Sequence, residues 1–456
     1  MIRILINTLR KLNYNKFLII YILLQPLIDV LTSLCVRYTN LNLTLGIFIR
    51  SSFLLFTIIY SLSISNKKWR RLLLIYYLIV ALYIIVFITN SIIESKFNLI
   101  IFQIKSLIKL FYFPILLVAF IPLINSVKIK NKYLIYTLFG YTSIISITIF
   151  LGIAFDSYAD GSGNGKNGLF YAANEIGTII CVLIPFLFLN LINTKRIKKN
   201  KKILIEKIVE FFTFIFTSFS ALWIGTKVPF LGLILSLSII FMICIINIIK
   251  KNNIKNYIYK SLIIFIATLS VFAILPYSPV GKNLGVSFYK INKINTNKNT
   301  DFLDQPVAKE HFESVVLSNR NLYYKNTLKD YSASSTLSKL VGIGYIANVD
   351  NHFVQRKSIE IDYFDILFSN GVIGFFIFFA PLIAILIYLS KLLFKNKNVF
   401  FSSNTILNIY LILISLIIAR LSGHIFTAPS VNFYLILAIS KLITFLKNGD
   451  MNNDTI

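Results

Sequence analysis

Cysteine, histidine and acidic residues are all scarce in this sequence. Only three cysteines and three histidines occur in 456 residues. The cysteines fall in or at the ends of apolar runs and show neither metal-ligand spacing nor a disulfide framework. No histidine stands beside a second potential ligand at a metal-binding spacing. We therefore expect no metal site, no cofactor and no disulfide-stapled fold.

Acidic residues are outnumbered by basic ones, 18 against 46, which gives a net charge of +28. Such an excess is found in nucleic-acid-binding proteins, but it also arises where cytoplasmic loops of membrane proteins collect Lys and Arg. The chain is 57% hydrophobic, with a mean hydropathy of +0.76, whereas soluble domains are typically below about 50% apolar. The composition predicts a polytopic membrane protein surrounded by lipid, with no nucleic-acid partner.

Apolar runs of about 20 residues recur along the chain, and each can cross about 30 Å of hydrocarbon. We predict an all-α membrane protein of about twelve spans, the first retained rather than cleaved because it is too long for a signal-peptide core. The predicted spans are 17–36, 43–64, 71–93, 98–123, 133–154, 169–192, 208–225, 228–249, 258–276, 364–393, 401–421 and 427–447.

Basic clusters alternate with loops that are poor in Lys and Arg. The clusters follow every second span and lie at residues 67–71, 128–132, 195–207, 250–260 and 391–397. Because Lys and Arg accumulate in cytoplasmic loops, this alternation predicts that both termini are cytoplasmic. It also predicts that the loops between the clusters face outward.

The longest polar stretch runs from Pro276 to Glu360. It divides the chain into spans one to nine (1–276), one large external loop (277–363), and spans ten to twelve with a short tail (364–456). Within the loop, residues 307–329 mix apolar and charged positions, which predicts a short amphipathic helix on the membrane. Gly342 and Gly344 predict a turn.

Ionisable residues inside apolar spans are costly and usually face a cavity or a partner. Lys105 and Lys109 are four apart and share one helix face. Either they pair with Asp29 or backbone carbonyls, or they line an electropositive cavity for a phosphate-bearing lipid. Arg50 and Lys227 are further contributors to such a cavity, since Arg binds phosphate bidentately and Lys acts as a point charge.

Two further segments on the outer side carry polar residues. Residues 161–168 read GSGNGKNG, but no strand precedes them and no Lys-Ser/Thr pair ends them. We interpret them as a flexible linker rather than a phosphate loop. The linker leads to Glu175, which we expect to pair with a cavity lysine. Arg420 and His424 share a face if their helix continues, where they would bind substrate or cap the helix end.

Three motifs resemble segments of a known family. Gly225-Thr226-Lys227 opens span eight, at a position where members of the family show Ser-Arg. Ser318-Asn319-Arg320 is followed by Gly342-Ile343-Gly344. This order resembles the family's Ser-Gly-Arg segment followed by Gly-x-Gly. Residues 360–374, EIDYFDILFSNGVIG, resemble a segment that begins His-Asn and ends Gly-x-x-Gly. With its spans and late external loop, the chain resembles the O-antigen ligase/polymerase superfamily of bacterial envelope glycan enzymes, which have a GT-C-like membrane fold.

The resemblance implies a metal-independent glycosyltransferase at the outer face of the bacterial cytoplasmic membrane. Its donor would be a glycan on undecaprenyl diphosphate, its acceptor a sugar hydroxyl on a lipid-linked chain, and its partners a flippase and a chain-length regulator. Preplaced cations would stabilise the departing diphosphate. The residues assigned to that role are Arg320 and Lys227 first, with Arg50, Lys109, Lys105, Arg420 and His424 as further contributors.

The resemblance departs from the ligases at one position. Glu360 stands where they carry a catalytic histidine, and the acidic pattern is similar to Gram-positive capsule or teichuronic acid polymerases. Glu360 is therefore the predicted general base for the acceptor hydroxyl, with Asp362, Asp365 and His352 as alternatives. The same cluster also fits an acidic, solvated helix start.

Two other activities fit parts of the sequence. A ligase that transfers finished glycan to a terminal acceptor would show the same loop and cations. A lipid-linked oligosaccharide flippase or exporter also fits twelve spans, although a transporter has little need for one loop of about 85 residues and usually shows related halves. A structural scaffold would leave the intramembrane charges unexplained.

Overall fold

The structure of the protein is a computed structural model. It describes residues 13–39, 44–93, 99–127, 129–158, 161, 163–193, 201–251, 253–285, 320–349, 352–396, 399 and 402–448. The prediction for residues 307–319 lies outside them.

Long helices make up most of the described chain, as the all-α prediction requires. In chain order the helices are α1 (Tyr14–Tyr38), α2 (Leu45–Ile64), α3 (Lys67–Ile93), α4 (Ile100–Phe120), α5 (Asn131–Phe150), α6 (Ala173–Asn193), α7 (Lys201–Trp223), α8 (Lys227–Ile249), α9 (Ile254–Ile274), α10 (Arg320–Ala333), α11 (Thr336–Val341), α12 (Asp362–Lys395), α13 (Ser403–Leu421) and α14 (Pro429–Asn448). A hairpin of strands β1 (Ile346–Val349) and β2 (His352–Gln355), which the sequence did not predict, precedes α12.

Eleven of the helices in the described ranges are long and apolar enough to cross a membrane. The protein is a polytopic membrane protein. The twelfth long helix, α7, is 23 residues long but carries several Lys and Glu residues in its first half. Its far end lies beside the loop that precedes α6, where the N–H of Lys166 donates to the carbonyl of Trp223 at 2.9 Å. Helix α7 therefore traverses the bundle like its neighbours.

Successive helices run in opposite directions, so their connections meet at two faces. One face carries the polar segment, the part of the chain between α9 and α12. On this face Asn283 donates to the carbonyl of Gly225 at 2.8 Å. On the other face, Lys132 pairs with Glu206 at 3.2 Å. We call these the loop face and the basic face. Helices α6 and α14 are the most deeply buried spans, whereas α9 is nearly all exposed at the periphery.

Helix α12 is broken at Gly371, whose φ of 63° and ψ of −177° are not helical. Residues of the polar segment enter the break and bond the freed carbonyls. The N–H groups of Ile343 and Gly344 donate to the carbonyls of Phe368 and Ser369, both at 3.1 Å. Non-helical backbone inside a membrane protein needs such partners because no water is available.

Aromatic side chains dock the polar segment onto the first part of α12. Tyr324 of α10 lies 4.6 Å from Phe364, and Tyr331 lies 5.1 Å from Phe368, measured between ring centroids. Buried Ile343 and Ile359 complete this small core. Of the helix predicted for 307–329, the described residues show the part from position 320, which extends beyond 329; its amphipathic placement on the membrane stays a prediction. Packing against α12 holds this helix in place.

Candidate active site

Arg320 and Glu360 form an ion pair on the loop face. Arg320 is the first residue of α10, and Glu360 lies two residues before α12. The guanidinium Nη2 donates to Glu360 Oε2 at 2.8 Å, and Nη1 donates to the carbonyl of Leu421 at 3.3 Å. Asn174, at the start of α6, donates to the same Glu360 oxygen at 3.4 Å. The Glu360 side chain is 32% exposed and that of Arg320 12%, so the carboxylate stays accessible while the arginine is held.

The backbone at Glu360 is unusual. Its φ of 61° places a non-glycine residue in the left-handed region, which side chains other than Asn and Asp seldom adopt. Gly423 packs directly against it, and a Cβ at Gly423 would lie 2.9 Å from the Glu360 carbonyl carbon and oxygen. The turn that presents the carboxylate is thus formed against the α13–α14 connection.

Asp362 occupies an enclosed position two residues further on. It is 1% exposed. The N–H groups of His424, Ile425 and Phe426 and the hydroxyl of Thr427 donate to its two oxygens at 2.7–2.9 Å. Four donors leave little capacity to accept a proton from a substrate. The geometry favours an anchoring role for Asp362 over the predicted catalytic one.

The other two base candidates have different surroundings. Asp365 reaches back to accept from the N–H of Ile359 at 2.8 Å, just before the start of α12. His352 lies in β2, paired with Val349. The catalytic role predicted for His352 stays a prediction.

Lys227 opens α8 immediately after a tight turn at Gly225. The turn packs on the glycine-rich segment, since a Cβ at Gly225 would lie 1.9 Å from the carbonyl oxygen of Asn164. That segment, interpreted from the sequence as a flexible linker, makes defined contacts: Lys166 pairs with Asp156 at 2.7 Å, and its N–H donates to the carbonyl of Trp223 in α7. Half-buried Lys227 lies close enough to Arg320 for the two positive charges to repel each other, so the fold brings the two motif cations near one another.

Arg420 and His424 lie next to this site but do not share a helix face. Helix α13 ends at Leu421, and His424 has a φ of 66° in the following loop. The condition for a shared face, that the helix continues to His424, is therefore not met. The Arg420 guanidinium lies 5.1 Å from the centroid of the Phe364 ring. His424 Nε2 is buried and has no hydrogen-bond partner among the described residues.

The remaining predicted cations lie deeper in the bundle. Arg50, Lys105 and Lys109 line a cavity of about 320 Å³. Asp29, a predicted partner of the lysines, instead forms an ion pair with Arg50. Glu175 accepts a hydrogen bond from Ser430 and lies within electrostatic range of Lys109. The structure thus divides the predicted cations between two places.

Two contributors to the loop-face site were missed as functional residues. They are Asn174 and Gly423, neither of which belongs to a motif identified in the sequence. The available signals in the sequence were an Asn-Glu pair at the start of a span and a glycine between Arg420 and His424. Neither signal identifies a partner, because both contacts join residues far apart in sequence.

Comparison with known proteins identifies the family. The chain matches the family of O-antigen ligase-like membrane proteins over residues 11–449 and belongs to it. This makes it a membrane glycan ligase or polymerase, an enzyme that uses a lipid-linked glycan. A search of curated proteins found no match.

Proposed function

We propose that the protein is a polysaccharide polymerase. It transfers a glycan from undecaprenyl diphosphate to a sugar hydroxyl of a lipid-linked acceptor at the outer face of the bacterial cytoplasmic membrane. The contact of Arg320 with Glu360 at 2.8 Å carries this proposal. It places a cation suited to a diphosphate beside a carboxylate suited to a hydroxyl, at the edge of the membrane-spanning bundle.

The proposed reaction forms one bond to the anomeric carbon of the donor and breaks another. The acceptor oxygen attacks the anomeric carbon of the donor, and its proton passes to the Glu360 carboxylate. The bond from the anomeric carbon to the phosphate oxygen breaks, and its electron pair stays on the diphosphate. A single displacement of this kind inverts the anomeric configuration.

Arg320 and Lys227 are assigned to the leaving diphosphate. Cations placed in advance stabilise charge that develops as the bond breaks, and a site shielded from water strengthens the effect. Arg420, beside Phe364 at the same face, is a further candidate contact.

The acidic residue at the motif position favours polymerisation over ligation. Glu360 replaces the histidine of ligases, and this acidic pattern is similar to Gram-positive polymerases. The products distinguish the two: loss of a polymerase leaves single repeat units, whereas loss of a ligase leaves long undecaprenyl-linked chains.

Replacement of Glu360 by glutamine tests the assignment. We expect Glu360→Gln to lower glycan transfer by about 10²- to 10⁴-fold, the usual contribution of a general base, with unchanged membrane insertion and thermal stability. Transfer is measured with purified protein and lipid-linked repeats in detergent, where no membrane gradient can drive transport. Asp330→Asn, which disrupts an exposed pair with Arg356, is the matched control. Near-normal polymer from Glu360→Gln would refute the assignment.

A further inference from the structure

The glycine-rich segment and the turn before α8 pack against each other through two glycines. A Cβ at Gly165 would lie 2.1 Å from the carbonyl oxygen of Ile224. A Cβ at Gly225 would lie 1.9 Å from the carbonyl oxygen of Asn164. Both glycines have a positive φ, 152° and 84°. Two backbones approach this closely only where side chains are absent, so the glycine-rich motif supports the turn that opens α8.

The Asn283 side chain joins these two segments at the same place. Its amide pairs with Asn164 as one peptide group pairs with another: Oδ1 accepts from the Asn164 N–H at 2.8 Å, and Nδ2 donates to the Asn164 carbonyl at 2.7 Å. Nδ2 also donates to the Gly225 carbonyl at 2.8 Å. The oxygen and the NH₂ group are thus both engaged, a combination that an amide provides and a carboxylate or a methyl group does not.

The Gly225 carbonyl receives a second donor, the Tyr158 hydroxyl, at 3.2 Å. Because a peptide unit is planar, two donors at one carbonyl fix the orientation of the whole peptide that joins Gly225 to Thr226. Lys227 follows directly and is the first residue of α8. The backbone that carries Lys227 is therefore held both from the α5–α6 connection and from the start of the polar segment.

Lys227 needs such support because its neighbour in the site has the same charge. It lies close enough to Arg320 for the two cations to repel each other. Like charges repel until an anion lies between them, so the two side chains cannot hold each other in place. Cations stabilise a transition state best when they are positioned before the charge develops. Contacts behind the residues that touch the substrate provide that positioning.

We propose that Asn283 is a positioning residue for Lys227. Through the Gly225 peptide it holds the lysine where the leaving diphosphate of the donor binds. The inference rests on the proposed function, which assigns Lys227 to that diphosphate. The glycine-rich segment supplies the fixed backbone to which Asn283 is anchored. Asn283 contacts backbone rather than substrate, so its effect on the reaction passes through Lys227.

A double-mutant cycle between Asn283 and Lys227 tests the proposal. Glycan transfer and the dissociation constant of undecaprenyl diphosphate are measured on purified Asn283→Ala, Lys227→Gln and the double variant. We expect Asn283→Ala to lower transfer about 10- to 100-fold and to raise the dissociation constant about tenfold, because a misplacement of about 1 Å can cost about 10²-fold. The double variant should transfer and bind as Lys227→Gln does alone, since no lysine is left to position.

A matched control separates this role from a general effect on folding. The Asn396 amide donates to the Leu446 carbonyl at 2.6 Å on the basic face, so Asn396→Ala removes a similar contact and should leave transfer and binding unchanged. Melting temperatures are recorded in parallel. If Asn283→Ala unfolds, Tyr158→Phe replaces it, since it removes one donor to the same carbonyl. Its smaller loss of transfer should again disappear in the Lys227→Gln background.

Two results would overturn the proposal by itself. One is transfer by Asn283→Ala at the rate of the unaltered protein. The other is an equal loss when Asn283→Ala is added to the Lys227→Gln protein, which would show that the asparagine supports the fold independently of the lysine. Failure of the proposed function is distinguishable, because it appears as unimpaired transfer by Lys227→Gln and refutes the diphosphate assignment together with this inference.

Discussion

Two carboxylates separated by one residue have contrasting environments. Glu360 is accessible and contacts one arginine and one amide, whereas Asp362 is enclosed by four donors from residues 424–427. A carboxylate with spare capacity can accept a proton, and one that is saturated can only hold structure. The difference lies in the loop that covers Asp362, which a linear motif does not reveal.

Replacement of Asp362 should therefore affect stability first. In Asp362→Asn the new amide NH₂ is a donor that faces backbone N–H donors, so hydrogen bonds to the carboxylate are lost. Hydrogen bonds to charged groups contribute about 1.5–3 kcal/mol each. We expect a loss of at least about 3 kcal/mol in the free energy of unfolding, measured as a lower thermal melting temperature in detergent.

The contrast with Glu360 makes this prediction specific. Glu360→Gln should melt near the temperature of the unaltered protein, and the exposed-pair control Asp330→Asn should do the same. An Asp362→Asn protein that melts normally but fails to transfer glycan would assign Asp362 to catalysis instead.

At the scale of single elements, the break in α12 joins the polar segment to the membrane bundle. The Tyr83 hydroxyl of α3 lies 2.9 Å from the carbonyls of Val341 and Asn370. Tyr345, just before β1, accepts from the Asn370 amide at 3.0 Å. Burial raises the pKa of the Tyr345 phenol, so it remains a neutral hydrogen-bonding group. These contacts position the first part of α12 and, through it, Glu360.

Gly371 is the residue on which this break depends. A Cβ there would lie 2.4 Å from the carbonyl oxygen of Leu340, and the positive φ adds strain of about 1–3 kcal/mol. We expect Gly371→Ala to lower both the melting temperature and glycan transfer. Gly285→Ala, where no atom lies within 4 Å of the new Cβ, is the matched control. Equal melting temperatures for the two variants would contradict this role for the break.

At the scale of the whole molecule, the bundle separates a polar-segment face from a basic face. Consecutive helices alternate between the faces, so α1 begins and α14 ends at the basic face. Asn15 near the start of α1 donates to the carbonyl of Ser126, and Asn396 donates to Leu446 of α14. The excess of Lys and Arg predicts that this face is cytoplasmic.

Cysteine labelling tests that orientation. In a background with Cys35, Cys181 and Cys244 replaced, Lys329→Cys should react with a membrane-impermeant thiol reagent on intact cells. Lys68→Cys, also exposed but on the basic face, should react only after permeabilisation. The reverse pattern would place the Arg320–Glu360 site in the cytoplasm, away from the proposed substrates.

Much of the architecture could be read from the amino-acid pattern. The helix boundaries near residues 64, 93 and 249 follow from apolar length and flanking charge. The start of α7 was misplaced because its first half is charged and only its second half is uniformly apolar. The β-hairpin was missed, since two strands of four residues carry little periodic signal.

The motif residues of the candidate site were identified by the resemblance to the family. Their contact partners were identified only from the fold. Arg320 and Glu360 were both named, but nothing local indicates that they touch. Asp29, one of the alternative partners considered for the lysines, pairs with Arg50. Which cation meets which anion depends on how helices pack, and helix packing is set by many small contacts between distant residues.

The amino-acid sequence alone was enough for the membrane class, the approximate position of most spans, the alternation of basic loops and the single polar segment. Hydrophobic length and charge are local properties, and the bilayer imposes them on each segment separately. Tertiary structure was needed to bring Arg320 to Glu360, to enclose Asp362 and to place Lys105 and Lys109 in another cavity. Those outcomes are contacts between segments 40 or more residues apart in sequence, and only the packed bundle brings such segments together.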